Sequence, residues 1–199
     1  ALALLQEGKP ARVMLKGIAA EDLKVLQGLN LLTAHPVLYV CNVAEADAAT
    51  GNEHTKAVEA MAASQGAGVV VISAAIEAEV AQLPDDEELE FLASMGLDEP
   101  GLDKLIRAGY DLLHLITYFT AGPKETRAWT IERGTKAPKA ASVIHTDFER
   151  GFIRAEVMSF ADFVAHGGEA GCRAAGVFRV EGKDYVVADG DVLNVRFNV

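Results

Sequence analysis

The sequence predicts an α/β fold in two parts: a parallel strand–helix–strand crossover within residues 19–114, and a smaller, strand-rich β-grasp domain over residues 115–199. Three observations predict it. Two short apolar runs, 37–41 and 69–72, end abruptly at Asn42 and Ser73. Continuous runs of that length, bounded by turn residues, suit strands buried on both faces of a parallel sheet. A helical stretch, 53–65, lies between them, and strand, helix and strand in that order close a right-handed crossover. From Leu115 onward the pattern changes to short strands punctuated by Gly-containing turns around a short helix.

Taken in order, residues 1–7 begin in mid-pattern and read as the last turns of a helix stopped by Gly8 and Pro10. Residues 19–29 form a helix with Leu23, Leu26 and Leu29 on one face. His35 is held extended by Pro36 on the way into the first strand. Asn52 is placed to cap the helix 53–65, whose apolar face is Ala57, Ala60 and Met61. Asp85, Asp86, Glu87 and Glu88 open the next helix, where acids favour the N-terminal dipole. This reads as a solvated helix start, since Ca2+ loops alternate oxygen ligands around a central Gly. Gly96 ends that helix. Residues 101–115 form another, with Leu102, Leu105, Ile106, Leu112 and Leu113 as its core face and His114 near its end. In the second part the strands are 116–120, 127–131, 152–157, 178–180, 185–187 and 193–197, with helical pieces at 139–145 and 160–165.

At 50% hydrophobic and 24% charged, the 199 residues have an ordinary globular composition and are enough for a core. No basic-then-apolar leader pattern is legible, and no uninterrupted apolar stretch is long enough to cross a bilayer. Two cysteines, Cys41 and Cys172, lie far apart in no Cys-x-x-Cys pattern, which argues against a disulfide scaffold or a zinc site. The expectation is a cytoplasmic chain with no membrane partner. The net charge of −11 is uneven: residues 1–114 carry all of it, and residues 115–199 balance to zero. The first part should avoid phosphate polymers, and no DNA partner is expected; the second part can approach one.

The sharpest chemical signal sits where the first strand ends. Ligands of open parallel sheets bind at the carboxyl ends of strands. Asn42 offers an amide donor and acceptor there, and Glu45 a carboxylate acceptor, which is equipment for reading a nucleobase edge. The Asn42-Val43-Ala44-Glu45 stretch, followed after the next strand by Ser73-Ala74-Ala75-Ile76-Glu77, resembles the base-reading pair of motifs in P-loop GTPases. Asn-x-x-Glu in place of Asn-Lys-x-Asp is similar to the YchF/Obg-like ATPase family. The likeness continues through 101–110, 116–124, 145–154 and 184–191 and covers nearly the whole chain.

The resemblance implies the C-terminal portion of a P-loop GTPase-like, doubly wound parallel sheet followed by a β-grasp domain of TGS type. It assigns residues 1–18 to the remnant of a helical arm, 19–114 to the C-terminal part of an OBG-type nucleotide domain, and 115–199 to the TGS domain. It implies base contacts from Asn42, Val43, Glu45, Ser73, Ala74 and Ala75, ATP preferred over GTP, and association with the large ribosomal subunit or its RNA. No Gly-x-x-x-x-Gly-Lys-Ser/Thr is present: Gly8-Lys9 runs into Pro10, and Gly182-Lys183 into Asp184. The phosphate loop, the hydroxyl that holds Mg2+ and the switch segments are therefore outside this sequence. No catalytic residue and no metal ligand is assigned here, and the chain alone is expected not to hydrolyse ATP.

Other candidates weigh less. Lys124, Arg127, Arg133, Lys136 and Lys139 give a local net charge of +3 over 124–139, with Trp129 and Phe119 nearby. Such a stretch suits RNA phosphates and bases, or is a solvated hairpin with Trp129 in the core. His145-Thr146-Asp147 has no nucleophile at matched spacing and reads as structural. Gly167-Gly168-Glu169-Ala170-Gly171 follows a helix, not a strand, and reads as a loop with a helix start. A ribosome- or RNA-binding, or a ligand-sensing, β-grasp module without relevant nucleotide binding is the alternative, though no convergent polar pocket for a small ligand is legible.

Overall fold

The computed structural model describes residues 2–15 and 17–198. Ala1 of the expected first helix, Lys16 of the expected arm remnant and Val199 lie outside the described residues. The chain divides into two compact units, Ala1–Leu113 and His114–Val199.

The first unit comprises α1 (Leu2–Gln6), α2 (Ala20–Gly28), β1 (Leu38–Asn42), α3 (Glu53–Gln65), β2 (Gly68–Ile72), α4 (Ala74–Val80), α5 (Asp85–Ser94) and α6 (Gly101–Leu112). β1 and β2 pair in parallel, from Leu38 opposite Gly68 to Asn42 opposite Ile72, with α3 as the crossover helix. α3 starts sharply because Asn52 and Thr55 form a reciprocal capping box: the Asn52 side chain accepts from the His54 and Thr55 amides, and the Asn52 amide donates to Thr55 Oγ1 at 2.9 Å. It ends at Gly66, whose φ of 65° suits a left-handed cap. A small core of Ala48, Ile76, Val80, Leu92 and Leu97 joins α4 and α5 to the loop after β1.

Four burial expectations change here. β1 and β2 are mostly half-buried, and Val40 is exposed. Among the described residues this sheet has two strands, so each has a single ladder partner. The expected core face of α6 is partly covered: Leu105 and Leu112 are half-buried, but Leu102, Ile106 and Leu113 are exposed. α3 turns a different face inward: Thr55 and Ala62 are buried, whereas Ala57, Ala60 and Met61 are exposed. Leu26 of α2 is buried, but Leu29, just past its end, is exposed.

The second unit comprises β3 (Leu115–Ala121), β4 (Thr126–Glu132), α7 (Ala137–Ile144), α8 (Thr146–Arg150), β5 (Phe152–Ser159), α9 (Phe160–Ala165), α10 (Glu169–Ala175), β6 (Arg179–Glu181) and β7 (Asp191–Phe197). Its five-stranded sheet has the order β4-β3-β7-β5-β6. The first and last strands, β3 and β7, lie side by side in parallel, and the other pairs are antiparallel. A central parallel pair, extended on one side by the β3–β4 hairpin and on the other by antiparallel β5 and β6, with a helix across one face, is the β-grasp topology. Ile116, Tyr118, Ala140, Ala141, Phe152, Ala155, Val157 and Leu193 form the core between sheet and α7. Tyr118 is fully buried and donates its hydroxyl to the Ala140 carbonyl at 2.9 Å; burial pushes its phenol pKa up. On the opposite face, Met158, Cys172 and Val192 pack with Phe119, Phe163 and Phe178.

Residues 185–187 are not a strand. Lys136 makes an isolated bridge to Val186, and the chain there binds the start of α7 through Ala137 N–H to Tyr185 O at 2.8 Å and Val187 N–H to Thr135 O at 3.0 Å. The helices α8 and α10 add to the two helical pieces expected from the sequence in this unit.

Candidate functional site

Asn42, Val43, Glu45, Ser73, Ala74 and Ala75 meet at the carboxyl ends of β1 and β2. Asn42 ends β1, and the ladder runs one step further as the Val43 amide donates to Ile72 O at 2.9 Å. Asn42 Oδ1 accepts the Ala74 N–H at 2.9 Å. One side chain thus joins the two motifs across 32 residues of sequence. With Oδ1 engaged, the amide still has its Nδ2 donor to offer a ligand. Val43 is half-buried against the small core. Glu45 is exposed and opens a single 3-10 turn, Glu45–Asp47. That loop is pinned where Asn52 Nδ2 donates to Asp47 Oδ2 at 2.8 Å. Ser73 is 3% exposed, and its hydroxyl oxygen has no hydrogen-bond partner among the described residues. A buried hydroxyl without a bond is costly unless something satisfies it. Ala74 and Ala75 are exposed at the start of α4.

Glu77, the last residue of the second motif, does something the sequence did not disclose. Its Oε1 accepts the Gly101 amide at 2.7 Å and its Oε2 the Leu102 amide at 3.0 Å. The carboxylate caps α6 from another helix, where free N–H groups and the dipole favour an anion. A Cβ on Gly101 would lie 2.8 Å from Glu77 Oε1 and 2.9 Å from Ile72 Cγ2, so glycine is needed for the close approach.

Residues 115–198 match the family model YchF-GTPase_C, described as a protein of unknown function (DUF933). The chain is 55% identical over 179 residues to the ribosome-binding ATPase YchF of Pasteurella multocida, covering 90% of this chain and 49% of that one. It is 42% identical over 197 residues to Obg-like ATPase 1 of Caenorhabditis elegans, covering 98% and 49%. The solved structure of the Schizosaccharomyces pombe YchF GTPase superposes with a TM-score of 0.81 at 36% identity, over 97% of this chain and 51% of that one. The family it resembles is that of the YchF/Obg-like ATPases. The chain spans about half the length of the curated relatives it matches.

Within this YchF-like chain the five basic residues singled out in the sequence are spread out and largely engaged with acids. Lys124 lies in the β3–β4 turn. Arg127 is near Glu125 at 3.8 Å and stacks over Trp129 with its guanidinium 4.2 Å from the ring centroid. Trp129 is half-buried against the core and donates to Thr120 Oγ1 at 2.9 Å. Lys136 pairs with Asp184 at 2.7 Å, and Lys139 with Glu149 at 3.7 Å. Arg133 follows β4, and its amide donates to the His114 carbonyl at 2.7 Å.

His145 is an exposed cap: its Nδ1 accepts the Asp147 amide at 3.2 Å at the start of α8. Gly167 and Gly168 adopt positive φ and lead into α10. Cys41 is half-buried; Cys172 is buried, and burial followed by the charge of Asp162 pushes its thiol pKa up. Among the described residues no group of three or more His, Cys, Asp or Glu is placed to hold a metal ion. No helix among them is long and apolar enough to cross a membrane.

Sequence reasoning missed two arginine–carboxylate assemblies. Asp191, buried at the start of β7, accepts from Tyr185 Oη at 2.6 Å, the Ala188 amide at 2.9 Å and Arg179 at 3.3 Å. Glu156, buried on β5, is surrounded by Arg154, Arg173 and Arg196. Arg196 reaches Glu156 through the β5–β7 pairing and Arg173 reaches it from α10, so sequence order alone does not bring these groups together.

Proposed function

We propose that this chain supplies the base-reading half of an ATP site, together with a ribosome-docking domain, to a longer nucleoside triphosphatase. The observation that carries the reading is the Asn42–Ala74 hydrogen bond, which ties both base-reading motifs together at the carboxyl ends of adjacent parallel strands. Residues 19–114 act as the C-terminal part of an OBG-type nucleotide domain, with 1–18 the remnant of its helical arm, and 115–199 as a TGS domain. Asn42 donates to the purine N7, Val43 lies against the base face, and Ser73, Ala74 and Ala75 close the pocket. Glu45 stands where guanine readers carry Asp. Adenine lacks the N1–H and 2-amino donors that such a carboxylate accepts, which favours ATP over GTP. Mg2+ and the triphosphate are assigned to a phosphate loop outside this sequence. Hydrolysis depends on those parts, so the chain by itself turns over no ATP.

Two relatives carry ATPase in their printed names, and the Pasteurella protein is called ribosome-binding. The second unit accordingly docks on the large ribosomal subunit or its RNA in the cytoplasm. A binding or ligand-sensing module without relevant nucleotide binding is the second reading, favoured by the Arg127–Trp129 stack on the sheet. The test is nucleotide binding by a form that includes a phosphate loop. Asn42→Ala should weaken ATP binding at least tenfold while leaving ribosome co-sedimentation intact. Unchanged ATP affinity would transfer support to the second reading.

A further inference from the structure

The outer face of the β-grasp sheet carries the densest charge assembly in the second unit. Along β5, Ala155 and Val157 point into the core beneath α7, and Arg154, Glu156 and Met158 alternate to the other side. On β7, Asn194 and Arg196 stand opposite Glu156 and Arg154. Met158 and Val192 are covered from the α9–α10 side, but Arg154, Arg173 and Arg196 remain about half exposed, at 51%, 47% and 50% of their side-chain surface.

Glu156 holds them in place. Its carboxylate, 5% exposed, accepts from Arg196 Nε at 3.1 Å and Asn194 Nδ2 at 3.2 Å, with Arg196 Nη2 at 3.0 Å, Arg173 Nη2 at 3.5 Å and Arg154 Nη2 at 3.6 Å. Arg173 is fixed further by Glu169, at 2.8 and 3.1 Å, and by stacking 3.5 Å over Phe178. One guanidinium is enough to neutralise a buried carboxylate. Three over-compensate it, and each has five N–H donors in a rigid fork. About half of each arginine side chain stays exposed while Glu156 holds it from beneath.

We propose that Arg154, Arg173 and Arg196 form a phosphodiester-binding surface for RNA backbone, with Glu156 as the positioning residue. The proposal rests on the reading that this unit meets ribosomal RNA, and it places the contact on the β5–β7–α10 face, apart from the basic run 124–139. Fixed guanidiniums match phosphate oxygens in pairs, whereas Lys136 and Lys139 of that run are long, exposed and each paired with a single acid.

The test uses the 199-residue chain, a fluorescein-labelled single-stranded oligouridylate and purified large ribosomal subunits, over a salt titration. Arg154→Gln with Arg196→Gln should lower RNA affinity more than tenfold at low salt. It should also flatten the dependence of log K on log salt by roughly 1.4, two contacts' worth. Glu156→Gln raises net charge by one unit yet should weaken binding, because the guanidiniums lose their anchor; tighter binding would reduce the cluster to unspecific charge and overturn the positioning role. Thermal melts accompany each variant. If the double variant is unfolded, Arg154→Gln alone, which leaves the Arg196 contact to Glu156, should lose about half of that slope change. An unchanged slope in a folded arginine variant overturns the proposal. If wild type binds neither probe, the ribosome reading itself fails. If it binds and only Lys124→Ala with Arg127→Ala and Lys136→Ala abolishes binding, the ribosome reading stands and the arginine site does not.

Discussion

Asn42 was legible because polar groups that end an apolar run stand out, and the strand ends where the residues say it should. Its partner was not: nothing in Ser73-Ala74-Ala75 announces that the Ala74 amide will be taken by a side chain 32 residues away. The same limit hid Glu156, which reads as an ordinary outward strand residue until β7 and α10 surround it. Burial alone would raise the Glu156 pKa, but the Arg196 hydrogen bond and the charges of Arg196, Arg173 and Arg154 outweigh burial and hold it below the ordinary carboxylate range. A carboxyl with a lower pKa folded than unfolded stabilises the native state above the ordinary value, and the contribution disappears as pH falls through the folded value. The urea midpoint of the chain should therefore drop on acidification below about pH 4, and Glu156→Gln should flatten that acid limb while lowering the midpoint at neutral pH. An acid limb of equal steepness in the variant would mean that other carboxylates set it.

At the scale of elements, periodicity located most helices and strands, and caps sharpened their ends. Asn52 at the start of α3 was readable as a cap; Asn52→Ala should cost about 1 kcal/mol in chemical denaturation. The cap of α6 was not readable, because Glu77 reaches it from α4. Gly101→Ala should destabilise the first unit and expose α6 amides to hydrogen exchange, since the added Cβ meets Ile72 as well as Glu77; native-like protection of residues 101–105 would contradict this. The face of α3 was misread because Ala is compatible with either side of a helix, and only packing on β2 selected Thr55 and Ala62. Residues 185–187 are apolar enough for a strand, but their backbone groups are taken by the start of α7 and the residue before Lys136.

For the whole molecule, the two units differ in how much apolar surface they gather into a buried core, although the second also leaves Ile153, Phe160 and Val164 exposed. The second has a closed β-grasp core, and residues 114–199 expressed alone should unfold in one cooperative transition with a midpoint close to that in the 199-residue chain. The first leaves Val40, Leu102, Ile106 and Leu113 open, and the chain spans about half of its curated relatives. It should bind a hydrophobic dye such as ANS far more than residues 114–199 do. The fold class was visible in the alternation of short apolar runs and turns; that the first sheet would have so little cover was not, because a sequence shows which faces are apolar but not what lies against them. Base selection is proposed to reside in Asn42 to Glu45, and the decisive measurement is competitive ATP and GTP binding to a form carrying a phosphate loop. Wild type should prefer ATP, and Val43→Lys combined with Glu45→Asp should move the preference toward GTP; a wild-type preference for GTP, or no change in the double variant, would contradict the account.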